Sequence, residues 1–292
     1  MRVNAHIVAP IALAVLLSFP ANSELRHYVA SLDESTWMLS RSTPIECRLE
    51  HEIPAYGKAV FTSQASKELN LLFTLDMLNK PDEATKAKLM SRPPSWRPGL
   101  QPKQISQLTY HRYFNGEVPK TAAWNMLTEL ERGMEPTFYY ADWHNDNNNV
   151  AVGLSAANFK YKYRQFKQCL AGLLPYSFDD IAFTVLNYEF DSTELNAFSK
   201  QQLARIEEYL KHDPKVDLVL VDAYTDSFGG RGINDNVSVS RASTVKKFFV
   251  AQGIEAKRIS TLGHGERRHV ANNDSSEERA RNRRVVIRIS KP

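Results

Sequence analysis

The sequence predicts an α+β protein in which a β-rich first domain is followed by a two-layer α/β sandwich. Three observations carry that prediction. Short runs up to about residue 164 alternate apolar and polar side chains with the period of two that belongs to half-buried strands. From about residue 181, strand-like runs alternate with helical ones, the pattern of helices laid on a sheet. Between them, Ala171-Gly172-Leu173-Leu174-Pro175 marks a change of character near 170–180. With 292 residues, 42% of them hydrophobic and 24% charged, the chain has material for about two modest cores.

The first segment, 1–23, is neither. Met1, Arg2 and His6 open it, Ile7 to Phe19 is almost wholly apolar, and the small residues Ala21 and Ser23 follow. That is the layout of a secretory signal peptide. The run is shorter than the roughly 20 residues a membrane span needs, although an uncleaved anchor is the competing reading. No cysteine lies near the cleavage region, which argues against a lipid-modified lipoprotein. Lys and Arg outnumber Asp and Glu by only 37 to 33, too small an excess to argue for a nucleic-acid partner.

The β-rich domain is expected over 24–172. Ile45, Cys47 and Leu49 alternate with Glu46, Arg48 and Glu50, so Cys47 points inward. Leu69, Leu71, Phe73, Leu75 and Met77 give a second strand with one apolar face. Phe159, Tyr161 and Tyr163 alternate with Lys160, Lys162 and Arg164 in the same way, and Cys169 follows that strand. Further strands are expected at 56–62, 105–114, 137–143 and 150–155. Helices are expected over Asp82 to Met90, after Pro81, and over Ala122 to Arg132, between Pro119 and Gly133. Pro93, Pro94, Pro98 and Pro102 make 91–102 an extended surface loop, whose Trp96 either meets a partner or folds back on the core. Asp142 to Asn149 is a polar turn. Strands this short, interrupted by helices and prolines, do not suit an outer-membrane barrel. The two cysteines, Cys47 and Cys169, are an even number in an exported chain and suggest one disulfide; two buried thiols are the alternative. A bridge would staple the ends of this domain together, worth roughly 4–5 kcal/mol by chain entropy.

The second domain is expected over 173–292. Ile181 to Phe190 reads as a strand. A helix with Asp191-Ser192 as cap candidates follows, with Leu195, Phe198, Ile206 and Leu210 on one face. Val216 to Ala223 is a strand, 225–236 a Gly-rich loop, and Val239 to Gln252 a helix ended by Gly253. Arg258 to Leu262 is a strand, Glu278 to Arg284 helical, and Val285 to Ile289 closes the sheet.

The chemistry gathers around 222–241. Thr225 and Asp226 follow the C-terminal end of a strand, and Arg241 falls in the first turn of the next helix, so both reach the sheet edge where ligands bind. An acid beside a guanidinium suits a zwitterion, Asp holding the ammonium and Arg the carboxylate, with the helix N-terminus adding N–H donors. Asn282 and Arg283 supply further donors. By itself this pattern leaves open that Asp226 caps a turn and Arg241 makes a surface ion pair. Gly229-Gly230-Arg231-Gly232 lacks the Gly-Lys-Ser/Thr ending of a phosphate-binding loop. None of the 8 histidines stands at metal-ligand spacing, and no nucleophile–base pair is evident, so the site reads as a binding module with no cofactor, metal or catalytic residue.

Taken in order, Phe190-Asp191-Ser192-Thr193-Glu194-Leu195, Ala223-Tyr224-Thr225-Asp226-Ser227, Asn234, Ser238-Val239-Ser240-Arg241-Ala242, Gly263-His264-Gly265-Glu266 and Arg279-Ala280-Arg281-Asn282-Arg283-Arg284-Val285 resemble the OmpA-like peptidoglycan-binding family over about 181–290. The resemblance implies a peptidoglycan partner whose diaminopimelate is held by Asp226 and Arg241, with Thr225, Asn234, Asn282 and Arg283 lining the same pocket. The family usually has His at Tyr224, Pro at His269 and Gly at Glu278. The first domain, with Cys47 and Cys169 bracketing it, Ala55-Tyr56-Gly57 before Ala59-Val60-Phe61, and Leu71-Leu72-Phe73-Thr74-Leu75, resembles the sodium-driven polar flagellar motor members of that family. That implies a non-enzymatic, periplasmic part of the T ring around the flagellar basal body. Its partners would be MotX, the basal-body rings and, indirectly, the PomA/PomB stator. The competing expectation is a general periplasmic tether joining the wall to another envelope partner.

Overall fold

The computed structural model describes residues 25–189, 194–213 and 218–291, so the proposed signal peptide and the Asp191-Ser192 cap lie outside the described residues. The first part is built from β1 (Leu25–Tyr28), β2 (Trp37–Ser42), β3 (Glu46–Ile53), β4 (Gly57–Gln64), β5 (Leu72–Met77), β6 (Thr85–Arg92), β7 (Lys103–Tyr110), β8 (Gly116–Val118), α1 (Lys120–Glu131), β9 (Glu135–Asp142), β10 (Asn145–Gly153) and α2 (Phe159–Ala171). The strands form two five-stranded sheets, ordered β2-β3-β4-β5-β8 and β1-β10-β9-β6-β7. Their inner faces share one apolar core in which Phe61 and Phe73 lie 4.8 Å apart and Phe73 and Phe138 5.7 Å apart. Each such ring, fully buried, contributes about 2–3 kcal/mol by area. Alternation places Cys47 and Leu49 inward, as expected. Cys47 is bonded to Cys169, with their Cα atoms 5.9 Å apart, so the bridge ties β3 to α2.

Three assignments change, the smallest being that 145–149, expected within a polar turn, open β10 and leave only 143–144 between the strands. Residues 82–90 were expected to be helical, yet 85–92 form β6, where Thr85, Ala87, Leu89 and Ser91 are buried and Lys86 and Lys88 point out. Ala, Lys, Leu and Met favour helix weakly, and ladders to β7 and β9 on both sides outweigh that preference. Conversely, 159–164 belongs to α2, not to a strand. Phe159, Tyr163 and Phe166 are buried at i, i+4 and i+7, while Tyr161 is 62% exposed. Six residues alternating by chance cannot reveal a period that needs the whole helix. Two single residues also turn outward: Leu69, 48% exposed, precedes β5, and Trp96 is 48% exposed. Helix α1 runs as expected from Pro119 to the stop at Gly133, whose φ is +79°.

The second part comprises α3 (Phe178–Ala182), β11 (Phe183–Asn187), α4 (Ala197–His212), β12 (Leu218–Tyr224), α5 (Arg231–Ala251), β13 (Ile259–Gly263), α6 (Ser276–Asn282) and β14 (Arg284–Ser290). Its four-stranded sheet runs β11-β14-β12-β13. The last strand therefore lies inside the sheet, antiparallel to both neighbours, while β12 and β13 are parallel. Val219, Val221, Ala223, Val285 and Ile287 meet Ile206 and Leu210 of α4 and Ala242, Val245 and Phe249 of α5 in a second core. Asn196 caps α4 by accepting from the Ser199 amide at 2.8 Å. Phe198, expected inward, is 62% exposed. The largest correction concerns α5, which begins at Arg231 and not near Val239, so the Gly-rich loop is only 225–230. Small polar residues, Asn234 and Ser238, carry its buried face there, and no apolar periodicity marks it.

The parts join where Leu174 bridges two strands' ends. Its amide donates to the Pro44 carbonyl at 2.7 Å, and its carbonyl accepts from the Ser66 amide at 3.2 Å. Lys67 pairs with Asp180 beside it.

Candidate functional site

The site stands at the C-terminal edge of the second sheet. Beyond the ends of β12 and β13, the His264 amide donates to the Ala223 carbonyl and the Thr225 amide to the Gly265 carbonyl, each at 2.8 Å. This pairing fixes Thr225 and presents Asp226 at the start of the loop. Asp226 Oδ1 accepts the Phe228 amide at 3.1 Å, closing an Asx turn. Its Oδ2 accepts from Arg283 Nη1 at 2.8 Å. Arg283 is delivered by α6, which starts with a Ser275–Glu278 capping box. Glu278, where the resembled family has Gly, thus satisfies the helix start.

Arg241 comes from the third turn of α5, so the expected help from a helix N-terminus at this residue does not arise. Its guanidinium lies 4.1 Å over the Tyr188 ring, and Nη1 donates to the Tyr224 carbonyl at 3.4 Å. Burial lowers the Arg241 pKa; Tyr188 opposes the fall, Arg283 adds to it and Asp226 opposes it again. Burial likewise raises the Tyr188 hydroxyl, against the pull of Arg241. Thr225 is 2% exposed, and its Oγ1 has no hydrogen-bond partner among the described residues.

The structure therefore brings Thr225, Asp226, Arg241 and Arg283 together. Asn282 is adjacent but serves the neighbouring loop. Its Oδ1 accepts the Val270 and Ala271 amides at 2.9 and 3.1 Å, and its Nδ2 donates to the Ala271 carbonyl and Asn273 Oδ1. Asn234 donates to Glu266 at 3.0 Å, tying α5 to the loop after β13. The Tyr224 ring joins a stack: His264 lies 4.5 Å from it, nearly parallel, and the Arg284 guanidinium 4.0 Å from its centroid. His264 Nε2 in turn lies 2.9 Å from Asp222 Oδ1. Sequence reasoning missed Tyr188 and Asn273. Tyr188 lies within the run expected as a strand but carries no sign of a role there, and each matters through a contact distant in sequence.

One carboxylate and two guanidiniums at a sheet edge can recognise a ligand bearing both charges. Each oxygen of Asp226 keeps a second lone pair for an ammonium, and the fork of Arg241 fits a carboxylate.

Fold and site together define a two-part protein whose second domain belongs to the OmpA family, matched over residues 187–283, behind a domain matched over 28–175 by the MotY N-terminal domain. The chain is 42% identical to the sodium-type flagellar protein MotY of Vibrio parahaemolyticus over 91% of each chain. It belongs to the MotY family of flagellar proteins. Its second domain is also 36% identical to the peptidoglycan-binding protein ArfA of Mycobacterium bovis, over 34% of this chain and 30% of that one. Among solved structures, the C-terminal domain of Helicobacter pylori MotB is 26% identical, covering 37% of this chain and 85% of that one with a TM-score of 0.33.

Proposed function

We propose that the protein is a non-catalytic, periplasmic component of the flagellar motor that grips peptidoglycan through diaminopimelate. The observation that carries this reading is the convergence of Asp226, Arg241 and Arg283 at one sheet edge. Asp226 takes the ammonium of the diaminopimelate side chain and Arg241 its carboxylate. The first domain faces the motor: it engages the basal-body rings and MotX in the T ring, and so helps seat the PomA/PomB stator. A stator needs a rigid anchor for its reaction torque, and many weak wall contacts around a ring hold by multivalency.

The arrangement of the first domain supports a two-ended role. The joint at Pro44, Ser66 and Leu174 lies at the Glu46–Gln64 end of the β3–β4 hairpin. Leu78, Tyr113 and Phe114, 72%, 61% and 68% exposed, lie at its other end, roughly 25 Å away along the strands. The test is co-sedimentation of the purified full-length protein with sacculi, together with recovery of basal bodies from motile cells. Asp226→Asn and Arg241→Ala should abolish sedimentation, and the protein should co-purify with basal bodies. Unchanged sedimentation of both variants would refute the wall site. Absence from basal bodies with normal wall binding would favour a general envelope tether.

A further inference from the structure

Two loops frame the mouth of the site, and each carries a large apolar side chain that the fold does not use. Phe228 is 82% exposed and Val270 54% exposed. Neither is there by loose packing of its backbone. The Phe228 amide is held by Asp226 Oδ1 at 3.1 Å. The Val270 amide is held by Asn282 Oδ1 at 2.9 Å, next to the Arg283 that pairs with Asp226. The loops are tied to each other as well: Asn273 Oδ1 accepts both the Ser227 amide at 3.2 Å and Asn282 Nδ2 at 3.1 Å. Asn282 itself is fully buried. The backbone beneath these two side chains is thus fixed on the same groups that make the charged site, while the side chains themselves remain in water. A phenyl ring in solvent beside a charged pocket is the arrangement of a contact residue whose apolar area is buried only on binding.

Resting on the wall-binding reading above, we propose that Phe228 and Val270 form an apolar lip that packs on the peptide flanking the captured diaminopimelate. A diaminopimelate whose far amino and carboxylate groups enter the charged floor must leave its aliphatic chain and peptide bonds at the rim. In the stem peptide, the next group outward is the methyl of an adjoining alanine. Neither Phe nor Val carries a side-chain hydrogen-bonding group, so the lip suits methylene and methyl surface better than the hydroxyls of the glycan. The lip makes the site selective for diaminopimelate within a stem over the free amino acid.

The experiment is calorimetric titration of the full-length protein with free meso-diaminopimelate and with the sugar-free tetrapeptide L-Ala-γ-D-Glu-meso-diaminopimelate-D-Ala. The wild type should bind the tetrapeptide about tenfold more tightly than the free amino acid. Phe228→Ala combined with Val270→Ser should erase that ratio and leave the affinity for free diaminopimelate unchanged. Both positions are exposed, so thermal midpoints should match the wild type and exclude a folding defect. A variant that keeps the tenfold preference, or a wild type with none, overturns the lip. Wild-type protein that binds neither probe overturns the wall-binding reading as well.

Discussion

Asp226 and Arg283 are separated by 57 residues, yet they meet at 2.8 Å with side chains only 10% and 9% exposed. Removing one member of such a pair strands a buried charge, which costs about 3 kcal/mol or more. Arg283→Ala should therefore lower the urea midpoint of the second domain as well as wall binding. Asp226→Asn combined with Arg283→Met should lose less than the sum of the single changes. Strict additivity in that cycle would show the pair to be energetically idle.

The Cys47–Cys169 bridge closes a separation of 122 residues. Chain entropy assigns it about 4–5 kcal/mol. At about 2–4 °C per kcal/mol for a domain of this size, Cys47→Ser should lower the first-domain transition by roughly 8–20 °C. Calorimetry of the wild type with and without reductant provides the check, and superimposable traces would refute the contribution.

His51 is fully buried against Trp37, with the ring centroids 4.4 Å apart, and its Nδ1 lies 2.8 Å from the Thr36 carbonyl. Burial pushes its imidazole from 6.5 down to about 4, and the bond to Thr36 opposes that only in part. Between those values the unfolded chain binds a proton that the folded one refuses. The contribution is complete above about 6.5 and is lost as pH falls toward 4, on the order of 3 kcal/mol in all. His51→Gln should flatten stability against pH in that window relative to wild type. Parallel pH curves for the two proteins would contradict this.

Gly57 opens β4 at φ +142°, and a Cβ there would stand 2.1 Å from the Asp76 carbonyl oxygen. Gly57→Ala should destabilise the first domain by about 2–3 kcal/mol through backbone strain and a disturbed β4–β5 ladder. Gly232→Ala, in the first turn of α5 with nothing near its Cβ, should instead stabilise by about 0.5–1 kcal/mol. Equal midpoints for the two variants would argue against the strain.

The parts of the fold legible in the sequence are those where one short segment carries its own signal. β3 alternates cleanly, and α1 is bounded by Pro119 and Gly133. β6 and α2 depart from their local patterns in opposite directions because each run is compatible with two periods. Pairing with β7 and β9 settled one, and the buried face of Phe159, Tyr163 and Phe166 settled the other. The start of α5 was hidden because its buried face is polar there: Asn234 and Ser238 satisfy the loop after β13 and leave no apolar stripe to read.

Of the site, the residue types and their order along the chain were enough to mark Asp226 and Arg241 as an acid and a base at one sheet edge, and to point to the family. For Asp226 the end of β12 sets the placement, whereas Arg241 was expected at a helix start and comes instead from the third turn of α5. Only the tertiary structure decided that Arg283 is the partner of Asp226, that Arg241 rests on Tyr188, that Asn282 braces the 270–273 loop, and that Phe228 and Val270 stand in water at the mouth. Those facts are contacts between segments far apart in the chain, and a contact's energy depends on burial and distance that no single stretch of sequence contains.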